Sequence, residues 1–199
     1  GELGDYQVAL DYHGKALAIY EKIQDREGSA TALHNIGYIY AERAQPGDLP
    51  LAVESFRRAL SLREELRDAF GRADTLNSLG FTLSEHGSPA EALPMLQEAE
   101  QVLQSLNARK QLAATLDSIG SVYKHLKDYP RALQYYGRSL DMWYAIGDRD
   151  GERITLGNIG SVMRLMDKTE QAIIFYKMSV NISQEIRTEI KTLPQVYQR

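Results

Sequence analysis

Four short stretches share one pattern of apolar and polar positions: HNIGYIY (34–40), NSLGFTL (77–83), DSIGSVY (117–123) and GNIGSVM (157–163). Each carries a glycine in the same frame. Immediately before it lies Ile36, Leu79, Ile119 or Ile159, and four before it Leu33, Leu76, Leu116 or Leu156. Three after it lies Tyr40, Leu83, Tyr123 or Met163. Apolar residues at these offsets predict a helix with one buried stripe, helix A. The glycines stand at 37, 80, 120 and 160. A nearly fixed period of that size predicts a repeat array.

A second amphipathic segment, helix B, follows each turn. Its anchor is Ala9, Ala52, Ala92, Ala132 or Ala172. Four further on comes His13, Phe56, Leu96, Tyr136 or Tyr176, and three beyond that Ala16, Ala59, Ala99, Ser139 or Ser179. Small, large, small at helical spacing predicts close approach to a partner helix. The glycine of helix A is expected to face the anchor alanine. Its helix-propensity loss of about 1 kcal/mol is then offset by packing at short distance.

Helix starts are regular too. Asp5, Asp48, Ser88 and Asp128 stand four before their anchors and predict N-caps. SPAE (88–91) reads as a capping box with proline at the first helical position. The last unit has Lys168 there, with Asp167 expected to cap one residue early. The extra residues of the second unit fall in AQPGDLP (44–50), a predicted surface turn. DREG (25–28), DAFG (68–71) and DRDG (148–151) join successive units. ARKQ (108–111) lacks both Asp and Gly, predicting a more continuous or a more mobile corner.

Leu, Gly, Tyr in helix A with Ala, aromatic, Ala in helix B resembles the tetratricopeptide repeat in its roughly 40-residue form. The tryptophan that often opens helix A is leucine in all four units. The resemblance implies an all-α fold, a right-handed superhelical solenoid of antiparallel helix pairs with a concave groove lined by A helices. One solenoid then fills 1–199. Residues 1–24 supply helix B of a truncated repeat, full repeats occupy 25–66, 67–106, 107–146 and 147–187, and an exit helix starts in 188–199. QAIIFYKMSVNISQEIRTEIKTLPQVYQR (171–199) is similar to the last repeat and exit segment of bacterial proteins whose array precedes a CHAT domain, a caspase-like module with a His–Cys pair. That likeness implies a protease domain beyond Arg199. A first helix B without its helix A, and an end without a polar capping helix, predict an excised fragment that extends at both ends, with sticky exposed ends. The longer repeat is also similar to arrays in kinesin light chains, Pins-type adaptors and bacterial signalling regulators.

By the family's geometry, the groove takes A-helix positions six, three and two before the glycine and one, four and five after it. These are Thr31, His34, Asn35, Tyr38, Ala41 and Glu42, then Asp74, Asn77, Ser78, Phe81, Ser84 and Glu85. The later units supply Ala114, Asp117, Ser118, Ser121, Lys124 and His125, then Ile154, Gly157, Asn158, Ser161, Arg164 and Leu165. Asn35, Asn77, Ser78, Asp117, Ser118 and Asn158 form a row of short polar groups suited to a peptide backbone. Tyr38 and Phe81 are expected apolar anchors. Glu42 and Glu85 make one end acidic, and Lys124, His125 and Arg164 make the other basic. Tyr12, Tyr20, Tyr135 and Trp143 lie on B helices and are expected in packing.

Composition narrows the chemistry. The net charge is −4, which repels a nucleic-acid backbone. There is no cysteine, so these residues hold no disulfide, thiolate metal site or cysteine nucleophile, and a reducing, cytoplasmic setting is expected. No apolar run approaches a membrane span. His13, His34, His86 and His125 are scattered without an HExxH, so no metal is expected. Ser121 and Ser161 follow glycines, but GxSxG is absent, and GNIG lacks the lysine of a phosphate loop. The sequence therefore predicts no enzyme, no cofactor, no nucleic-acid partner and no membrane partner. The expected ligand is a protein or peptide, with an intramolecular protease domain in the CHAT context. The alternative is a stand-alone adaptor joining two proteins, or a regulator of the kinesin-light-chain or Pins type.

Overall fold

The computed structural model describes residues 2–192, and the side chains of 5–188. These residues form helices α1 (Glu2–Lys22), α2 (Arg26–Arg43), α3 (Asp48–Glu65), α4 (Ala69–Glu85), α5 (Pro89–Ser105), α6 (Arg109–His125), α7 (Tyr129–Ile146), α8 (Arg149–Leu165) and α9 (Thr169–Thr192). No strand occurs among the described residues. Short turns join neighbouring helices, and within each unit successive helices pack antiparallel. A helices are α2, α4, α6 and α8, and B helices are α1, α3, α5, α7 and α9. Helix α9 runs unbroken to Thr192, past 188, where an exit helix is expected to start. The Pro-Gln-Val-Tyr segment lies outside the described residues.

The chain divides into two compact units, Gly1–Asn107 and Ala108–Arg199. The division falls at the ARKQ junction. That corner does not run on as a continuous helix: α5 stops at Ser105, and α6 starts after Ala108, which provides no side-chain cap. The other three junctions are closed by aspartate. Asp25, Asp68 and Asp148 accept from the amides of Gly28, Gly71 and Gly151 at 2.8–3.0 Å. Each satisfies an orphan donor of the next A helix.

In unit 1, Ala52, Phe56 and Ala59 of α3 and Ala92, Leu96 and Ala99 of α5 are fully buried. In unit 2 the same positions, Ala132, Tyr136 and Ser139, are fully buried on α7. Each large member gains about 1.5–3 kcal/mol from leaving water. The glycines explain the fit. A Cβ added at Gly37, Gly80, Gly120 or Gly160 would come within 2.7–2.9 Å of Phe56, Leu96, Tyr136 or Tyr176. The glycine thus makes a seat for the large side chain, and at Gly37 and Gly80 it also faces the backbone of the anchor alanine. The alanine enters through its carbonyl, with Ala52 O 3.1 Å and Ala92 O 3.4 Å from such a Cβ.

Several expected caps differ. Asp48 is the first residue of α3 rather than its cap, because the extra residues are partly absorbed into helix. Its buried carboxylate accepts from Arg43 Nη2 at 2.7 Å, Arg43 Nε at 2.8 Å and the Gln45 amide at 2.9 Å. Ser88 makes no side-chain cap; its carbonyl accepts from Glu91 and Ala92 instead. Asp5 lies inside α1, and Asp167 is a left-handed turn residue with φ 59°. Asp128 does cap α7, accepting from the Arg131 amide at 3.2 Å.

Candidate functional site

With one stripe of each A helix committed to its B partner, what remains is the stripe carrying the predicted groove positions. In unit 1, α2 and α4 lie side by side. Tyr38 and Phe81, each one residue past its glycine, are 53% and 43% exposed. Glu42 and Glu85 are exposed one turn further on. Burial, together with the neighbouring Glu42 carboxylate, pushes the Tyr38 phenol above its usual range. Asn35 and Ser78 are half-buried on the same stripe, with the Ser78 hydroxyl turned back onto the Asp74 carbonyl at 3.2 Å.

The position three before the glycine serves a different end. His34 Nδ1 lies 3.1 Å from Thr75 Oγ1, its Nε2 lies 3.7 Å from Asp74 Oδ2, and its ring meets the edge of Phe56. Thr75 also accepts from Arg63 Nη1 at 2.7 Å, and that buried guanidinium donates to the Gly71 carbonyl as well. Burial lowers the His34 pKa, Asp74 opposes the shift, and Arg63 reinforces it. His34 is therefore a neutral stacking residue between α2 and α4. Asn77 points inward likewise; its Oδ1 is buried and accepts no hydrogen bond from the described residues.

Unit 2 repeats that device with other side chains. Asp117 on α6 accepts from Ser139 Oγ at 2.9 Å, Trp143 Nε1 at 2.9 Å and Thr155 Oγ1 at 2.8 Å. It ties α6, α7 and α8 together. Burial raises its pKa, and the bonds from Trp143, Thr155 and Ser139 pull the other way. Asp117 is thus a clasp inside the unit and is not offered to a ligand, a correction to the groove expectation. Ser118 is also buried, its hydroxyl bonded to the Ala114 carbonyl at 3.1 Å. Ser121 is buried as well. Lys124, Asn158 and Ser161 are half-buried, Arg164 is exposed, and Ile154 and Leu165 stand out at 50% and 42% exposure.

Sequence reasoning missed the partners of these clasps. Thr75, Thr115 and Thr155 recur five residues before their glycines, and that period was the available signal. Among the B-helix aromatics, Trp143 is core, Tyr135 stacks on Tyr123 with centroids 5.4 Å apart, and Tyr20 lies against Gly28. Tyr12 is 69% exposed, contrary to its expected packing role. No group of acidic and histidine side chains among the described residues could hold a metal. No helix there is long and apolar enough to cross a membrane.

The tetratricopeptide repeat model matches residues 44–105 and 111–185. The chain belongs to the tetratricopeptide repeat family. The array is an all-α repeat solenoid, a protein-interaction scaffold. Human G-protein-signaling modulator 1 is 34% identical over 65 residues, which is 33% of this chain and 10% of that protein. The chain thus spans about a tenth of that curated relative. A Rap protein solved in complex with competence and sporulation factor shares the fold, with a TM-score of 0.83 at 16% identity over 95% of this chain and 52% of that one. BtubC of P. vanneervenii gives 0.75 at 19% identity over 92% and 75%.

Proposed function

We propose that this tetratricopeptide array holds a protein or peptide segment on the exposed stripes of its A helices. The observation that carries this reading is the exposure of Tyr38 and Phe81 in unit 1 and of Ile154 and Leu165 in unit 2. All four are large apolar side chains on A helices, at groove positions, left in water by helices whose other stripe is fully engaged. Asn35 and Asn158 lie on those stripes and both donate to and accept from a peptide backbone. The mechanism is recognition, with no bond chemistry. A Rap protein of this fold, solved with a bound factor, supports ligand holding as a use of such an array.

The resemblance of 171–199 to arrays that precede a CHAT domain supports a regulatory role in a larger protein. Ligand on the A-helix stripe biases the array, and an attached caspase-like module responds. The match to G-protein-signaling modulator 1 favours a second reading, a signalling regulator without a protease module. The residues encoded after Arg199 separate the two, since a caspase-like His–Cys pair fits only the first. Ligand holding itself is tested by pull-down with the intact protein and with Asn35→Ala/Asn158→Ala. The double variant is expected to bind about tenfold more weakly, roughly 1.4 kcal/mol. Unchanged binding by a folded variant moves the ligand off the A helices.

A further inference from the structure

The A-helix stripes of the two units differ four residues past the glycine. Unit 1 has Ala41 and Ser84 there, and unit 2 has Lys124 on α6 and Arg164 on α8. Neither cation has a hydrogen-bond or ion-pair partner among the described residues. The other cations of α6 and α8 stand elsewhere or are engaged. Lys110 is paired with Asp148 at 2.8 Å, Arg149 with Glu152 and Glu185, and Arg153 with Asp150 at 3.2 Å, while Arg109 lies at the opposite end of α6 from Lys124. The acids of the two helices are engaged as well. Asp117 is closed inside its clasp, Asp150 is held by Arg153, and Glu152 is buried beside Arg149. Asp167, in the turn past α8, is not paired with Arg164 either.

We infer that the α6–α8 face of unit 2 docks an extended peptide segment in which an Asp or Glu side chain sits beside one apolar residue, with a second apolar residue about five positions away. This deepens the ligand-holding reading and rests on it. The forked guanidinium of Arg164 suits a carboxylate, and Lys124 adds a point charge on a flexible stem. Because α6 and α8 are in contact, their axes lie about 8–10 Å apart, a gap that two long side chains can close onto one carboxylate. Leu165, 42% exposed, follows Arg164 directly, which sets an apolar residue beside the acid. Ile154, 50% exposed, stands close to three turns before Leu165, so the two project from one side of α8 about 16 Å apart. An extended peptide covers that distance in about five residues. Asn158 and Ser161 lie between those ends and make no hydrogen bond among the described residues, which leaves them for the segment's backbone. Unit 2 as a whole has 10 acidic and 14 basic side chains, a formal +4, and so draws an acidic segment in.

The test is selection of displayed random dodecamers on the full chain, with titration of the enriched peptides by fluorescence anisotropy at low and high salt. The titrated peptides carry amidated C-termini, so any carboxylate read belongs to a side chain. Enriched peptides are expected to carry Asp or Glu next to an apolar residue, with a second apolar residue about five positions along. Their affinity should fall tenfold or more for Lys124→Gln/Arg164→Gln, for Ile154→Ser/Leu165→Ser, and when the acid is replaced by its amide. It should stay within twofold for Lys177→Gln/Arg187→Gln, which removes the same charge from exposed positions on α9. Circular dichroism melts of each variant verify the fold. Basic or neutral peptides that depend on Ile154 and Leu165 overturn the acidic class while leaving the ligand-holding reading in place. Acidic peptides indifferent to Lys124 and Arg164 but weakened by Tyr38→Ala/Phe81→Ala overturn this face in the same way. If no enriched peptide is sensitive to the A-helix variants of either unit, both readings fall.

Discussion

A single methyl group at Gly120 should lower stability, and the same methyl at Gly157 should raise it. Both residues lie inside A helices, where alanine is worth about 1 kcal/mol more than glycine. At Gly157 that gain is realised, because the new Cβ meets only Ser179 Oγ at 3.8 Å, an ordinary contact. At Gly120 the Cβ would lie 2.7 Å from two carbons of the Tyr136 ring and 3.0 Å from a third. Comfortable carbon contacts begin near 3.5 Å, so the ring must retreat by about 0.8 Å. Tyr136 is fully buried and has no free side to retreat to. Overpacking of that kind costs about 1–3 kcal/mol, which exceeds the propensity gain. Gly120→Ala should therefore lose about 1–2 kcal/mol, and Gly157→Ala should gain about 0.5–1 kcal/mol. For a chain of this length the melting temperature moves by roughly 2–4 °C per kcal/mol. Parallel thermal melts followed by circular dichroism read the shifts. Gly120→Ala melting at or above the parent temperature refutes the seat, since propensity alone would then decide both sites.

Asp117 gives a pH signature. Its folded pKa is raised by burial, so between the ordinary carboxylate pKa near 4 and the folded value the native state binds more protons than the unfolded chain. Stability contributed at this site is therefore greatest below pH 4 and declines as pH rises through the folded pKa. The parent should lose ground to Asp117→Asn as pH rises above 4 in urea titrations; a constant difference contradicts the assignment. His34 has the opposite sign. Its lowered pKa means the unfolded chain takes up protons first as pH falls through about 6.5, so folding weakens there. His34→Gln should flatten that limb of the pH–stability curve. Lys127 closes α6 with φ 60°, a conformation that strains a residue with a Cβ. Lys127→Gly should raise stability by about 0.5–1 kcal/mol in the same assay, and a loss would place the strain elsewhere.

The repeat itself was legible because a glycine inside an apolar helical stripe is costly, and four costly residues in one frame can be explained only by a shared packing demand. What fills the seat was less legible. Alanine and the aromatic four residues beyond it both fit a close approach, and only coordinates show that Phe56, Leu96, Tyr136 and Tyr176 occupy it. The Asp–Gly junctions, with glycine three residues after Asp25, Asp68 and Asp148, were legible as breaks between helices, though not as the caps they prove to be. Asp48 and Ser88 were misread because an insertion shifts the helix start by a residue and a carbonyl can do a hydroxyl's work. In the candidate site, Tyr38 and Phe81 were identifiable as bulky residues one step past the glycine. Asp117 was not. Three positions before the glycine a side chain turns toward the next A helix, and a polar residue there finds a threonine: His34 with Thr75, Asp117 with Thr155. Groove and clasp positions carry the same short polar residue types, so composition alone cannot sort them.

The central claim is that the A-helix stripe, and not the B-helix surface, meets the partner. Photocrosslinking tests it most directly, with benzoylphenylalanine placed singly at Tyr38, Phe81, Ile154, Glu54 and Lys177 and a selected peptide as ligand. The first three positions lie on A helices, and the last two are exposed on α3 and α9. Crosslinks from at least one A-helix position, with none from Glu54 or Lys177, are the expected result. Crosslinks from Glu54 or Lys177 alone would contradict the account.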